Sequence, residues 1–200
     1  RQLEQYRRSI SSVRTRLDAE EAAVSQFGDL PARGKELALS QGGANASAAT
    51  RAMTAQEVQA LIYQAIGLGN LKIGGEHIFG GAATANPPFD AAGNWVGSGV
   101  GRKAEIAAGT VMDTTHTGEE LLVDSGVLAS LVALRDALLA DDVDGVRASV
   151  AQIDSAFDAS QVKLAETGAR LARLDLAIQG HDSAEDAHRA ERSSHADISV

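Results

Sequence analysis

The sequence predicts a mainly α fold: an elongated antiparallel helical bundle or coiled-coil rod carrying a small β-hairpin insert. Three observations predict it. A seven-residue apolar repeat fills residues 143–178, a matching repeat opens the chain, and helical periodicity vanishes in a glycine-rich stretch between them.

The long repeat reads Val143, Val146, Val150, Ile153, Phe157, Ser160, Leu164, Thr167, Leu171, Leu174, Ile178, with no proline inside it. A 3-4 spacing kept over this length draws one narrow apolar stripe along a helix about 50 Å long. Such a stripe needs another helix against it, and a strict seven-residue period asks for a left-handed wrap. The partner is at the other end of the chain. Leu3, Tyr6, Ile10, Val13 and Leu17 share the spacing, which resumes after the polar Glu20 at Val24 and Phe27.

Taken in order, the first helix is expected over residues 2–27. Gly28-Asp29-Leu30-Pro31 should end it and start a short second one over residues 32–41 that carries Leu37 and Leu39. A loop at 41–46 leads to Ser47 as N-cap, and Met53, Val58, Leu61, Ile62, Ala65, Ile66 and Leu68 give the next helix a broad apolar face. From Lys72 to Gly118 glycine and proline are frequent, so residues 1–71 and 121–182 are read as the rod and 72–120 as a β-rich insert. Within it, residues 76–79, 103–107 and 110–114 read as short strands, Ala108-Gly109 as a hairpin turn, and Asn94-Trp95-Val96 as a further strand. Asp124-Ser125-Gly126 caps a helix running through Leu139. Asp141 and Asp142 break it and place negative charge at the next helix start. Residues 183–200 are polar, and fraying is expected there.

Composition narrows the function. The apolar fraction is 44% but aromatics are only 4%, the palette of thin helical bundles. A net charge of −9 argues against a nucleic-acid or anionic-membrane partner, since phosphate binding needs clustered Lys and Arg. No apolar run approaches a membrane span. There is no cysteine, so no disulfide contributes to stability. Arg1 opens the sequence without a methionine or a signal peptide, which we read as a chain trimmed at its ends.

With the insert placed, a resemblance emerges. Gly74-Gly75-Glu76-His77-Ile78-Phe79-Gly80-Gly81, Asn86-Pro87-Pro88-Phe89-Asp90 and Gly93-Asn94-Trp95-Val96-Gly97 resemble the hook–filament junction family of bacterial flagella, the hook-associated protein 3 type, relatives of flagellin. Glu105-Ile106-Ala107-Ala108-Gly109 and Thr117-Gly118 continue it. Gln5-Tyr6-Arg7-Arg8, the Arg33–Ala38 stretch and Thr167-Gly168-Ala169-Arg170 are similar to that family's first and returning helices. Flagellin itself fits less well, since Asn70-Leu71-Lys72-Ile73-Gly74 stands where flagellins carry an Asn-Phe-Asn-Gly type segment.

The resemblance implies a flagellin D1-like rod, with two terminal segments outside this sequence that pair into an inner tube. It implies a secreted structural adaptor at the hook–filament junction, exported through the flagellar secretion apparatus. Its implied partners are hook-associated protein 1 on one side, flagellin on the other, copies of itself in a ring, and a secretion chaperone on the absent C-terminal segment. No cofactor is implied, and the trimmed chain is expected to be a monomer. Flagellin proper remains an alternative, as does a receptor-recognised binding module. By resemblance to flagellins, Arg33, Leu37 and Glu57 would lie on such a receptor-facing surface, although Gly34 departs from the bulkier residue usual there.

Candidate chemistry is sparse. His181, His188 and His195 share a spacing of seven, which separates neighbours by about 10 Å along a helix, too far to share one metal ion with bonds near 2 Å. His77 and His116 lie in the insert with Glu76 and Asp113 nearby, and a shared site there is a minor expectation. Gly97-Ser98-Gly99-Val100-Gly101 lacks the setting of a phosphate loop. Ser160-Gln161-Val162-Lys163 matches a Ser-x-x-Lys pattern, but Ser160 falls on the helix seam, closed to a substrate. Asn45-Ala46-Ser47 is a formal glycosylation sequon better read as a loop and cap. No enzyme is expected.

Overall fold

The computed structural model describes residues 2–43 and 45–198. Four helices carry the chain: α1 Gln2–Gln41, α2 Ala48–Gly69, α3 Val127–Leu139 and α4 Val143–Ile198. Between α2 and α3 lies the insert, with hairpin strands β1 Lys72–Ile73 and β2 Glu76–His77, then β3 Lys103–Ala107 and β4 Thr110–Asp113. A π-helical turn, Glu119–Val123, leads into α3.

The α1–α4 pair forms the spine. The two helices run antiparallel, so Ile10 packs in one cluster with Leu174 near one end, while Lys35 meets Asp154 further along. The heptad reading of α4 holds in detail. Val146, Ile153, Ser160, Thr167 and Leu174, seven residues apart, are all buried. The alternate row is half-buried along the seam's edge, and Phe157 is 37% exposed. On α1, Ile10, Val13, Leu17, Glu20, Val24 and Phe27 are buried in the same 3-4 rhythm, the pattern of two helices closing a knobs-into-holes seam.

Two helix boundaries differ from expectation. The break anticipated at Gly28–Pro31 is absent: α1 is continuous, with Pro31 inside it. Proline removes one backbone hydrogen bond and costs about 3 kcal/mol in a helix interior. Phe27 and Leu30 before the proline and Leu37 and Ala38 after it are anchored in a single core, so tertiary packing holds the helix through the proline. Leu37 is buried, whereas Leu39 is exposed. Likewise α4 runs past Gly180 to Ile198, where fraying was expected. Arg7 of α1 bonds Glu185 at 2.8 Å and pairs with Asp182 at 3.5 Å, and the His181 ring bonds the Ile106 carbonyl of β3 at 2.6 Å. These contacts tie the polar turn after Gly180 to its neighbours.

α2 and α3 pack beside the spine. A Cβ on Gly34 would lie 2.8 Å from Leu131 Cδ2, so glycine here lets α1 and α3 approach closely. Helix ends are fixed by polar side chains. Ser47 Oγ accepts from the Thr50 N–H at 3.1 Å, as expected of an N-cap. Asp142 Oδ1 accepts from the Gly145 N–H at 2.9 Å and starts α4. Arg51, buried on α2, donates to Asp141 at 2.5 Å and to the Ala46 carbonyl at 2.9 Å.

The insert is two small hairpins and a folded loop. Gly74 and Gly75, both at positive φ, form the two-residue turn joining β1 to β2, with Lys72 opposite His77. Tight two-residue hairpin turns require such angles. β1 was not anticipated, and only residues 76–77 of the strand expected at 76–79 pair. β3 and β4 pair around Ala108-Gly109 as expected, with an irregularity between Glu105 and Ala107. The strand expected at Asn94–Val96 reduces to a bridge of Trp95 with Phe89, whose rings meet edge-on at 5.3 Å.

Two apolar clusters result. The larger runs from Ala23 and Val24 of α1 through α2, α3 and α4 to Ile78, Phe79 and Phe89 of the insert. The smaller joins Ile10, Val13, Leu17 and Leu174 to Ile106 and Met112 of the second hairpin. Truncating a buried seam residue leaves a cavity as well as lost burial. Ile153→Ala should therefore cost about 2–5 kcal/mol, measured by urea unfolding, and Phe157→Ala on the seam's open edge about 1 kcal/mol or less. Equal losses would contradict the buried-row assignment.

Candidate functional site

What separates the two apolar clusters is polar. Glu20 of α1 is fully buried at the seam, where the heptad calls for an apolar side chain. Its Oε1 accepts from Thr167 Oγ1 on α4 at 2.7 Å and lies 2.5 Å from His116 Nδ1. Its Oε2 accepts from the His116 backbone N–H at 3.0 Å. Arg170 Nη1, a buried atom with no hydrogen-bond partner among the described residues, stands 4.0 Å from Oε1. The other His116 ring nitrogen, Nε2, is 2.8 Å from Glu166 Oε2, which also accepts from Lys163 Nζ at 2.9 Å. One carboxylate thus binds both main chain and side chain of an insert residue while fixing the register of α1 on α4.

The segment carrying His116 is built to be held. Thr114, Thr115, His116 and Thr117 are all buried. Thr115 Oγ1 donates to the Ile78 carbonyl at 2.8 Å, and the Gly118 N–H donates to the Phe79 carbonyl at 2.8 Å. Thr117 and Glu120 form a reciprocal cap. The Thr117 N–H donates to Glu120 Oε2 at 2.8 Å, and the Glu120 N–H to Thr117 Oγ1 at 3.3 Å, a capping box that starts the π-helical turn. Burial opposes ionisation of Glu120, but bonds from Thr117 and the charges of His116 and Lys163 hold its carboxyl below the usual range. Glu166 is lowered too, first by the Lys163 bond and also by His116, against a burial penalty.

A second ionic anchor secures the insert. Glu76 accepts from Arg102 at 2.8 Å and pairs with Arg16 of α1. Those two bonds, Arg102's first, hold its carboxyl down at about 2.

The residues singled out in the sequence fall as follows. Arg33 and Glu57 come together, Arg33 Nη2 standing 3.3 Å from Glu57 Oε2 and Nη1 2.8 Å from Glu36. Leu37 is 7% exposed and belongs to the core, so it presents no surface to a partner. His77 and His116 take different partners, His77 Nδ1 lying 2.8 Å from the Asn70 carbonyl. Glu76 binds arginines, and Asp113 lies 3.9 Å from Lys103. His181 sits against the Ile106 carbonyl and the Tyr6 ring, while the side chains of His188 and His195 fall outside the described residues. Ser160 Oγ is buried and donates to the Ala156 carbonyl. Among the described residues no group of three His, Cys, Asp or Glu side chains could hold a metal ion, and no helix is long and apolar enough to cross a membrane.

The outward surface carries apolar features. A groove of about 820 Å³ lies between α2, α3 and the 91–95 loop, lined by Ile62, Tyr63, Ile66, Trp95, Leu128 and Val132 among others. Tyr63 is 61% exposed. A smaller groove of about 260 Å³ between α1 and α4 includes Pro31, Leu39, Ile153 and Phe157. Shallow apolar grooves on a rod suit contacts with other proteins better than small-molecule chemistry.

The chain shares its fold with several solved flagellar proteins. Xanthomonas campestris FlgL superposes with a TM-score of 0.84 at 19% identity, covering 96% of this chain and 97% of that one. The flagellar hook-associated protein-3 of Legionella pneumophila gives 0.85 at 14% identity over 98% and 97%. Bacillus cereus FlgL gives 0.80 at 19% identity over 92% of each. No protein-family model and no curated protein sequence matches the chain.

Two predictions follow from the anchors. Glu20→Ala should cost about 3–5 kcal/mol in urea unfolding, because it removes a buried acceptor that several donors share. Glu76 ionises near 2 in the fold and near 4.5 in the unfolded chain, so its contribution is complete above about 4.5 and fades as pH falls toward 2. Its side chain is 40% exposed, which limits the effect to about 1 kcal/mol. Glu76→Gln should remove that part of the acid sensitivity, read as a flatter stability curve between pH 5 and 2.

Proposed function

We propose that this chain is a structural subunit of the bacterial flagellum, placed at the junction between hook and filament and acting by subunit–subunit packing. The observation that carries this reading is the agreement in fold with FlgL over nearly the whole of both chains, helices and insert together. The ordered resemblance of the insert motifs and the flanking helices supports the same assignment.

The physics of such a subunit is that of a stiff spacer with matched faces. A long two-helix spine holds the shape, and heterologous contacts let subunits close into a ring or stack. The partners are copies of this chain, a hook-side neighbour of the hook-associated protein 1 type and flagellin on the filament side, with a secretion chaperone before assembly. The place of action is outside the cell, on the flagellum. By itself this chain is a monomer. Flagellin itself is the second reading, and self-polymerisation separates the two.

Small-angle scattering of this chain should give a monomer with a radius of gyration well above the roughly 17 Å of a compact fold of this length. The full-length protein should capture both flagellin and the hook-side junction protein in pull-downs and restore filaments to a strain lacking its junction protein. Growth of long filaments from the full-length protein alone would favour the flagellin reading. Failure to bind either neighbour or to restore filaments would overturn the junction assignment.

A further inference from the structure

Between the two hairpins the chain makes an excursion that bonds mainly to itself. Its ends are pinned close together, at β2 and the turn after it. The His77 N–H donates to the Thr84 carbonyl at 2.9 Å, and the Ser98 N–H to the Gly80 carbonyl at 3.1 Å. Inside these pins, the Val96 N–H donates to the Pro88 carbonyl at 2.8 Å and the Asp90 N–H to the Asn94 carbonyl at 3.0 Å. Asp90 Oδ1 accepts from the N–H groups of Ala92 and Asn94, and its Oδ2 from Asn94 Nδ2, each at 2.9 Å. A surface loop with adjoining ends and its own internal bonds is an Ω-loop.

Among the described residues, one side chain supplies every hydrogen bond between residues 86–97 and the rest of the chain. Asn70, which ends α2, donates from Nδ2 to the Phe89 carbonyl at 3.0 Å and accepts the Phe89 N–H on Oδ1 at 2.9 Å. Its amide does for Phe89 what a neighbouring strand would do, filling both main-chain groups of a buried residue. Phe89 is the foot of the loop. It is 1% exposed, and a Cβ on Gly69 or Gly118 would come within 2.8 and 2.6 Å of its ring. Open space flanks that foot. A crevice of about 480 Å³ is lined by Ile66, Asn70, Pro87 and Val96, and the 820 Å³ groove opens beside residues 91–95. Both reach Ile66 and Ala91.

We propose that residues 86–97 form a strap that lifts as one unit, with Asn70 as its catch. Lifting breaks the two bonds to Asn70 and withdraws the Phe89–Trp95 pair from its seat, while the internal bonds travel with the strap. The contacts among the four helices persist, so opening costs less than global unfolding. The open state removes one wall of the α2–α3 groove and uncovers the socket of Phe89, bounded by Gly69, Gly118 and Leu122. The strap rests on bonding and packing within this chain and is independent of any role at a flagellar junction.

Trp95 is the single tryptophan of the chain and reports the strap directly. As urea is raised on the unaltered chain, Trp95 emission should shift before far-UV circular dichroism records loss of helix. In native buffer the Phe89 amide should exchange at least about tenfold faster than seam amides of α4, after correction for intrinsic rates. Asn70→Ala strips both main-chain groups of Phe89 of their partner and should raise acrylamide quenching of Trp95 about threefold or more, with helix content unchanged. Emission and circular dichroism that change together, a Phe89 amide as protected as the seam, or quenching unmoved by Asn70→Ala would each overturn the strap. Loss of the whole fold in Asn70→Ala would overturn it too, since Asn70 would then hold the body and not a separable unit.

Discussion

A carboxylate buried in a coiled-coil seam is the constraint on which the rest of this structure depends. A buried charge is expensive unless its acceptor positions are filled. Glu20 is filled from two directions, by Thr167 on the facing helix and by the backbone and ring of His116 from the insert. Shifting α4 by one heptad against α1 would bury equally apolar rows but would place Ser160 or Leu174 opposite Glu20. Apolar packing alone tolerates such a slip, whereas a shared buried hydrogen-bond network does not. Polar residues at single seam positions set register in this way in other coiled coils.

The same residue explains why the insert is part of the rod rather than an appendage. The second hairpin contributes Ile106 and Met112 to the smaller apolar cluster, and the first hairpin leads directly to Ile78 and Phe79 in the larger one. His116 lies between these contributions and bonds the one polar layer that divides the clusters. Hairpins of two to five residues per strand are marginal alone. Here they are stable because their apolar residues complete the spine's own core. Gly118 shows how close the fit is, since a Cβ there would meet Phe89 at 2.6 Å and Trp95 at 2.8 Å.

How much of this was legible follows from where the determining signals sit. The seam was legible because a 3-4 rhythm is local in sequence, and the buried row at Val146, Ile153, Ser160, Thr167 and Leu174 falls where the spacing puts it. The β3–β4 hairpin was legible through Ala108-Gly109. The break expected near Pro31 was a reasonable local inference overridden by packing on both sides. β1 was missed although Gly74-Gly75 marks a two-residue turn, because its strand is only two residues long. The polar layer left a trace: Glu20 interrupts the α1 repeat, and Thr167 is one of two polar members of the α4 repeat. Nothing local joins either to His116, ninety-six residues from Glu20, and tertiary geometry alone unites them. Thr117 and Glu120 carried a capping-box spacing, but it opens a π-helical turn without apolar periodicity. Of the surface residues taken from resemblance, Arg33 and Glu57 meet each other, while Leu37 packs into the core.

The combination of a long apolar seam and one obligatory polar layer also bears on what kind of work the molecule can do. An enzyme keeps its titratable groups at an open cleft where substrate can reach them. Here the most concentrated set lies inside the seam, spent on joining three elements of the chain, while the open grooves beside Tyr63 and beside Phe157 are predominantly apolar. Polar groups thus fix the internal geometry, while apolar surface is turned outward in the two grooves. A rod held by apolar packing alone could slide along its seam under load at little cost per heptad. With Glu20 bonded to Thr167 and His116, a slide must also break this buried network where the insert meets the helices.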